Sequence, residues 1–157
     1  MKIVLIQVGK TDREYLVRGI DEFVKRIKRF TPFETETIPD LRNRRSLSMS
    51  EQIKKEAELI SSKLLKGDHL ILLDERGKRC TSIEFSELLD ALLQSSAKRI
   101  VFVVGGPYGL HDSLRSSARL LLSLSDLTFS HQLVRLLFVE QLYRGLSILG
   151  GLPYHNQ

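Results

Sequence analysis

Apolar positions along the chain recur in two rhythms: short β-branched runs, and stretches with an apolar residue every three or four places. Lys2–Val8 is a compact apolar run closed by Gly9, the pattern of a buried strand. Asp12 then stands as a candidate N-cap, and Leu16, Ile20, Phe23, Val24 and Ile27 recur at helical spacing until Pro32 ends the helix. Phe33–Ile38 is Thr-rich and extended in character, and its polarity predicts an edge strand. Residues 39–47 have no period and predict a mobile loop.

The alternation continues to the last helix. Ser48 and Glu51 fit a capping box that opens a helix with Ile53, Ala57, Ile60 and Leu64 on one face, closed by Gly67. Residues 69–73 predict a buried strand ending at 74–78. Thr81 and Glu84 open another helix, carrying Phe85, Leu88, Leu89 and Leu92. Residues 100–104 and 120–124 predict two more strands, with a short helix over 112–118 between them. The final helix, about 132–147, is apolar around nearly its whole circumference, which requires cover on all sides. So small a domain supplies little cover, so a second copy across a two-fold axis is expected. Arg135 stands inside that cylinder, and Glu140 and Arg144, four residues apart, are placed to pair. Strand–helix alternation predicts an α/β fold with a parallel sheet and helices on both faces, residues 1–157 forming one domain.

Candidate chemistry gathers after two of the strands. Residues 100–104 run into Gly105, Gly106, Pro107, Tyr108 and Gly109, and residues 120–124 run into a bare loop from Ser125 to His131. Ligands in parallel sheets sit beyond such carboxyl ends, where helix N-termini and unpaired N–H groups collect. The glycine spacing fits neither the dinucleotide fingerprint nor a phosphate-binding P-loop. It offers either close backbone approach to a ligand or a simple sharp turn. His131, at the start of the last helix, either caps it or faces a ligand. His69, His111, His131 and His155 show no metal-ligand spacing, and Cys80 stands alone, so neither a metal site nor a disulfide is expected. The tail Gly150, Gly151, Leu152, Pro153, Tyr154, His155 reads as a hinge before chemically capable side chains, or as a frayed end.

Charge adds a partner class. The formal net charge is +5, and Lys25, Arg26, Lys28 and Arg29, then Arg42, Arg44 and Arg45, concentrate it in the first third of the chain. Such clusters are solvated faces or phosphate contacts. The N-terminal apolar run is too short for a signal-peptide core, and Arg135 interrupts the run around 133–139, so a cytoplasmic protein without a membrane span is expected.

Taken in order, Leu72-Leu73-Asp74-Glu75-Arg76-Gly77-Lys78, Gly105-Gly106-Pro107, Gly109-Leu110, Leu124-Ser125, Leu127-Thr128, His131-Gln132-Leu133-Val134-Arg135, Glu140-Gln141-Leu142-Tyr143-Arg144 and Pro153-Tyr154-His155 closely resemble the RlmH family. These are SPOUT-class methyltransferases acting on N3 of a pseudouridine in large-subunit (23S) ribosomal RNA. The resemblance covers essentially the whole chain. It implies a three-layer α/β SPOUT fold with a C-terminal trefoil knot, a homodimer, S-adenosyl-L-methionine as cofactor, no metal, and ribosomal RNA of the assembled ribosome as substrate. Leu73, Gly105, Gly106, Ser125, Asp126, Leu127, Thr128, Phe129 and Ser130 would surround the cofactor. His155 is the leading candidate for a base or substrate positioner, Tyr154 for stacking or hydrogen bonding, and Arg135 or Arg144 for phosphate or developing negative charge. His131, Arg144, Arg44 and Arg45 would meet the RNA. The chain departs from the family pattern at Ser130, where proline is common, at Tyr108, where an acidic residue is common, and in lacking a basic residue after His155. Two readings from other classes accompany it: a ribosome-binding protein that has lost transfer, and a generic nucleotide-binding α/β protein.

Overall fold

The computed structural model describes residues 1–156. Its elements are β1 (Lys2–Val8), α1 (Glu14–Ile27), β2 (Phe33–Ile38), a 3₁₀ turn at Arg44–Ser46, α2 (Met49–Lys63), β3 (Asp68–Arg79), α3 (Ser82–Leu93), β4 (Arg99–Val104), α4 (Asp112–Ser117), β5 (Leu120–Ser123) and α5 (Leu133–Leu149). The five strands form one parallel sheet in the order β2-β1-β4-β3-β5. β2 lies at an edge, as its polarity predicts.

Period-two alternation divides the core into two layers. Ile3, Leu5, Ile100 and Phe102 point to one face, where α1, α3 and α5 cover them through Ile27, Phe85, Leu89, Phe138 and Leu142. Val4, Ile6, Val101 and Val103 point to the other, where α2 and α4 supply Ala57, Ile60 and Leu114. Helices therefore sit on both faces, and every strand delivers its carboxyl end to the same side of the molecule. At the opposite end Arg99 grips Asp68 through two bonds of 2.9 and 2.6 Å, fixing the starts of β4 and β3 side by side.

Both capping boxes form: Ser48 and Thr81 accept from the N–H groups of Glu51 and Glu84, whose carboxylates return to the cap N–H groups. Two expectations change. Arg13, not Asp12, is the N-cap of α1, and it makes no side-chain capping bond; the Asp12 N–H is instead engaged by Gln132 Oε1 at 3.0 Å. β3 does not stop at residue 73. It bulges between Leu73 and Lys78 and then pairs again, Lys78 with Leu122 and Arg79 with Ser123. α5 is buried on one side only, through Phe138, Val139, Leu142 and Leu146, while Leu133, Leu137 and Ile148 are half-buried and Leu149 is exposed. No helix among the described residues is long and apolar enough to cross a membrane.

The bulge depends on Gly77. A Cβ there would lie 2.5 Å from both the Leu121 carbonyl carbon and the Leu122 nitrogen, main-chain atoms that cannot step aside. Gly77→Ala is expected to destabilise the protein by about 3 kcal/mol, at the upper end for added volume in packed structure. Chemical denaturation reads this directly, and an unchanged midpoint would contradict it.

Candidate functional site

The loops at the carboxyl ends of β3, β4 and β5 enclose a cavity of about 490 Å³, within the usual range of roughly 300–1,000 Å³ for small-ligand sites. Leu73, Gly105, Gly106, Ser125, Leu127, Thr128, Phe129 and His131 line it, all singled out from sequence. Asp126 and Ser130 do not. Asp126 turns outward to pair with Arg79, and both side chains are exposed. Ser130 serves the last helix, its Oγ accepting the Leu133 N–H at 3.1 Å and its carbonyl the Val134 N–H at 3.0 Å.

The glycine segment is both a sharp turn and a cavity wall. Gly109 N–H donates to the Gly106 carbonyl at 3.1 Å, closing a β-turn with Pro107 and Tyr108 at its exposed tip. Gly109 has φ +85°, which a side chain would resist. A Cβ on Gly105 would lie 2.9 Å from the Gly109 oxygen. The turn thus needs glycine at positions 105 and 109.

Sequence reasoning missed an ionic brace in the same wall. Asp74 is buried in the β3 bulge, where Oδ1 accepts the Arg76 N–H at 2.9 Å and Oδ2 accepts Arg115 Nε at 2.7 Å. Arg115 also donates to Asp112 Oδ1 at 2.8 Å. The brace ties the β3 exit to the helix that follows the glycine turn. Asp74 and Arg76 lie in a recognised motif, but Arg115, 41 residues away from Asp74, carries no local signal.

His131 faces the cavity, because Ser130 already satisfies the start of α5. Burial, and then the positive charge of Arg135, push its pKa down, so its imidazole is neutral at pH 7. Asp40 and Arg44 also act on it electrostatically, although Arg44 and Arg45 themselves are exposed on the 3₁₀ turn and Arg44 is paired with Asp40.

Arg135 is not at the surface. It is fully buried, with Nη1 donating to the Gly9 carbonyl and Thr11 Oγ1, both at 2.9 Å, and Nη2 donating to the Val8 carbonyl. That places it away from the surface expected for a phosphate contact: its two Nη groups fasten α5 to the end of β1, while Nε is buried without a partner among the described residues. Burial lowers its pKa, and the carbonyls offset the loss of water around the charge.

The tail forms a second cluster, outside the cavity lining. Tyr154 donates its hydroxyl to Glu140 Oε1 at 3.0 Å, Glu140 pairs with Arg144 as its spacing predicts, and Arg144 stacks over the Tyr154 ring at 4.8 Å. Arg144 Nη1 lies 3.2 Å from His155 Nδ1. A guanidinium only donates, so His155 accepts at Nδ1 and carries its proton at Nε2. In this arrangement His155 presents a hydrogen-bond donor and no basic lone pair. Burial, followed by the hydrogen bond to Glu140, raises the Tyr154 pKa and keeps the phenol protonated. His69 is structural, beside Ser95 Oγ at 3.3 Å, and Cys80 is half-buried against the core.

Comparisons with known proteins match these features to a family. A family model described as predicted SPOUT methyltransferase matches residues 1–155. The ribosomal RNA large subunit methyltransferase H of Parabacteroides distasonis is 49% identical to this chain, and that of Flavobacterium johnsoniae 51%; each match covers 100% of both sequences. Among solved structures, a probable methyltransferase from Bordetella pertussis Tohama I shares the fold at TM-score 0.58 and 13% identity, covering 92% of this chain and 94% of that one. The tRNA (m1G37) methyltransferase of Aquifex aeolicus does so at 0.55 and 15%, covering 99% and 74%.

Arg135→Met, which keeps the stem and removes the donors, is expected to cost about 3 kcal/mol, because buried carbonyls lose a charged partner. Thermal unfolding checks this, and wild-type stability would remove the clamp.

Proposed function

We propose, from the premise that this chain belongs to the SPOUT methyltransferase family and groups there with the ribosomal RNA large subunit methyltransferase H proteins, that it is an S-adenosyl-L-methionine-dependent RNA methyltransferase. Its substrate in this reading is N3 of a pseudouridine in the 23S RNA of the assembled ribosome, in the cytoplasm. The observation that carries the reading is identity of 49–51% over the full length of named relatives.

The cavity residues fit the cofactor. The main chain of the glycine turn lines the cavity, and Leu73, Leu124, Phe129 and Val134 supply apolar surface suited to a purine ring and to the carbon chain beside a sulfonium. Bound there, the cofactor supplies an electrophilic methyl group on sulfur. Methylation at N3 would require that nitrogen to give up its proton, and with His155 Nδ1 engaged by Arg144 the proton would leave to water. The protein's part is positioning and electrostatics. Neutral His131 holds the acceptor side of the cavity. His155 Nε2 and Arg144 offer donors to the imide oxygens as negative charge develops on the base, while Tyr154, its hydroxyl held by Glu140, offers its ring for stacking. Arg44, Arg45 and the basic residues of α1 take phosphates, and affinity falls as salt rises.

Within one chain these tail donors are not part of the cavity wall. The half-covered face of α5 and exposed Leu149 and Leu152 support a homodimer in which each tail completes its partner's site. In this reading the segment after β5, which leads back to the end of β1, makes the trefoil passage.

Ribosomes lacking the modification are expected to gain one methyl group on a large-subunit pseudouridine when given protein and cofactor, as read by mass spectrometry. No gain, or a gain on the small subunit, overturns the reading. His155→Ala is expected to slow single-turnover transfer about 10²-fold at saturating cofactor, the scale of lost positioning, while calorimetric cofactor affinity stays unchanged. An unaltered rate removes His155 from the mechanism. Mixing His155→Ala with a cavity-blocked Gly105→Leu chain should restore about one quarter of wild-type activity, the share of intact composite sites in a randomly mixed two-fold dimer. Inactive mixtures argue for a site built within one chain.

A further inference from the structure

Glu56 carries a carboxyl that neither the fold nor the proposed reaction uses. It lies on the buried face of α2 at 5% exposure, one turn after Gln52 at 3%. Gln52 Nε2 donates to Glu56 Oε1 at 3.1 Å. The carboxyl is aimed at the back of the glycine turn: a Cβ on Gly106 would lie 3.0 Å from Oε2 and 3.2 Å from Oε1. The charged groups acting on it are Asp40 and Arg44, which pair with each other. From α4, packed against α2, Asp112 and Arg115 are likewise joined to one another. A buried carboxylate without its own cation is costly, and burial raises the Glu56 pKa.

We infer that Glu56 is a positioning residue for the cofactor cavity: its carboxyl occupies the space behind Gly106 in which a Cβ would stand, and so fixes the main chain of the cavity wall. Position 106 is then glycine because of Glu56, not because of the ligand. Position 105 differs, since its Cβ would meet the Gly109 carbonyl group, oxygen at 2.9 Å and carbon at 3.0 Å, which no side-chain change relieves. The inference rests on the reading of this cavity as the S-adenosyl-L-methionine site.

A double-mutant cycle tests it, with calorimetric affinity for S-adenosyl-L-methionine and the unfolding temperature of the ligand-free protein as separate readouts. Gly106→Ala is expected to weaken cofactor binding about tenfold, on the scale of coupling between residues in contact, and to lower the unfolding temperature. Adding Glu56→Ala should recover most of both losses, whereas the same addition to Gly105→Ala should recover neither. Additive losses in the Gly106 pair, or Gly106→Ala binding like wild type, overturn the inference. If Gly106→Ala alone is recovered unfolded, folded double mutant supports the inference and unfolded double mutant overturns it. Failure of wild type to bind the cofactor strikes the functional reading instead, and the ligand-free unfolding cycle still decides the role of Glu56.

A pH series adds a readout that plain packing would not move. The protonated carboxyl is the form the fold favours, so its contribution is present at low pH and is lost as pH rises through the raised folded-state value. The ligand-free unfolding temperature of wild type should fall along that rise, and Glu56→Gln should match wild type at low pH without the fall. Identical profiles for the two proteins overturn the inference.

Discussion

One buried guanidinium joins the two ends of the chain. The last helix carries no strand after it, so no ladder of sheet hydrogen bonds holds it in place. Arg135 supplies the missing bonds by donating to Val8, Gly9 and Thr11, at the point where β1 stops. Its burial is tolerable because three acceptors converge on it, two of them main-chain carbonyls left at a strand end. With the start of α5 fixed there, Ser130 caps the helix, Gln132 reaches Asp12, and His131 is left facing the cavity.

The parallel sheet sets the rest. Every strand ends on the same side, so loops far apart in sequence share one wall, and the wall must be braced across elements. Gly77 lets β3 bulge against β5, Asp74 holds Arg115 across to α4, and the glycine turn closes on itself between them. Each brace uses backbone approach or a buried ion pair, and so leaves little trace in local hydrophobic pattern.

That difference explains what could be read in advance. Periodicity and capping residues located every helix and strand, and the edge position of β2 followed from its polar faces. The bulge in β3 was illegible, because residues 74–78 look like a turn unless the partner strand is known. Gln52 and Glu56 were invisible on α2 for the opposite reason: Ala57 and Ile60 gave a sufficient apolar face, and nothing in sequence shows that the glycine turn draws two polar neighbours inward. The motif resemblance pointed to eight of the cavity residues. It misplaced Arg135, since an arginine in a conserved-looking motif reads equally as a ligand contact or as a clamp. Only its surroundings distinguish the two.

The distribution of charge around the cavity follows from burial. Asp74 and Asp112 share Arg115, and Arg76 also pairs with Asp112, so the two carboxylates of the brace meet two guanidiniums. His131 is pushed toward its neutral form, burial shifts Glu56 toward its protonated form, and Tyr154 keeps its proton. The mobile charge is therefore kept at the periphery, on Arg44, Arg45 and the outer face of α1, where water screens it and phosphate can reach it. Methyl transfer, in which charge moves between donor and acceptor, gains from such a division. Neutral, fixed dipoles near the reacting atoms need not reorganise as charge moves between them.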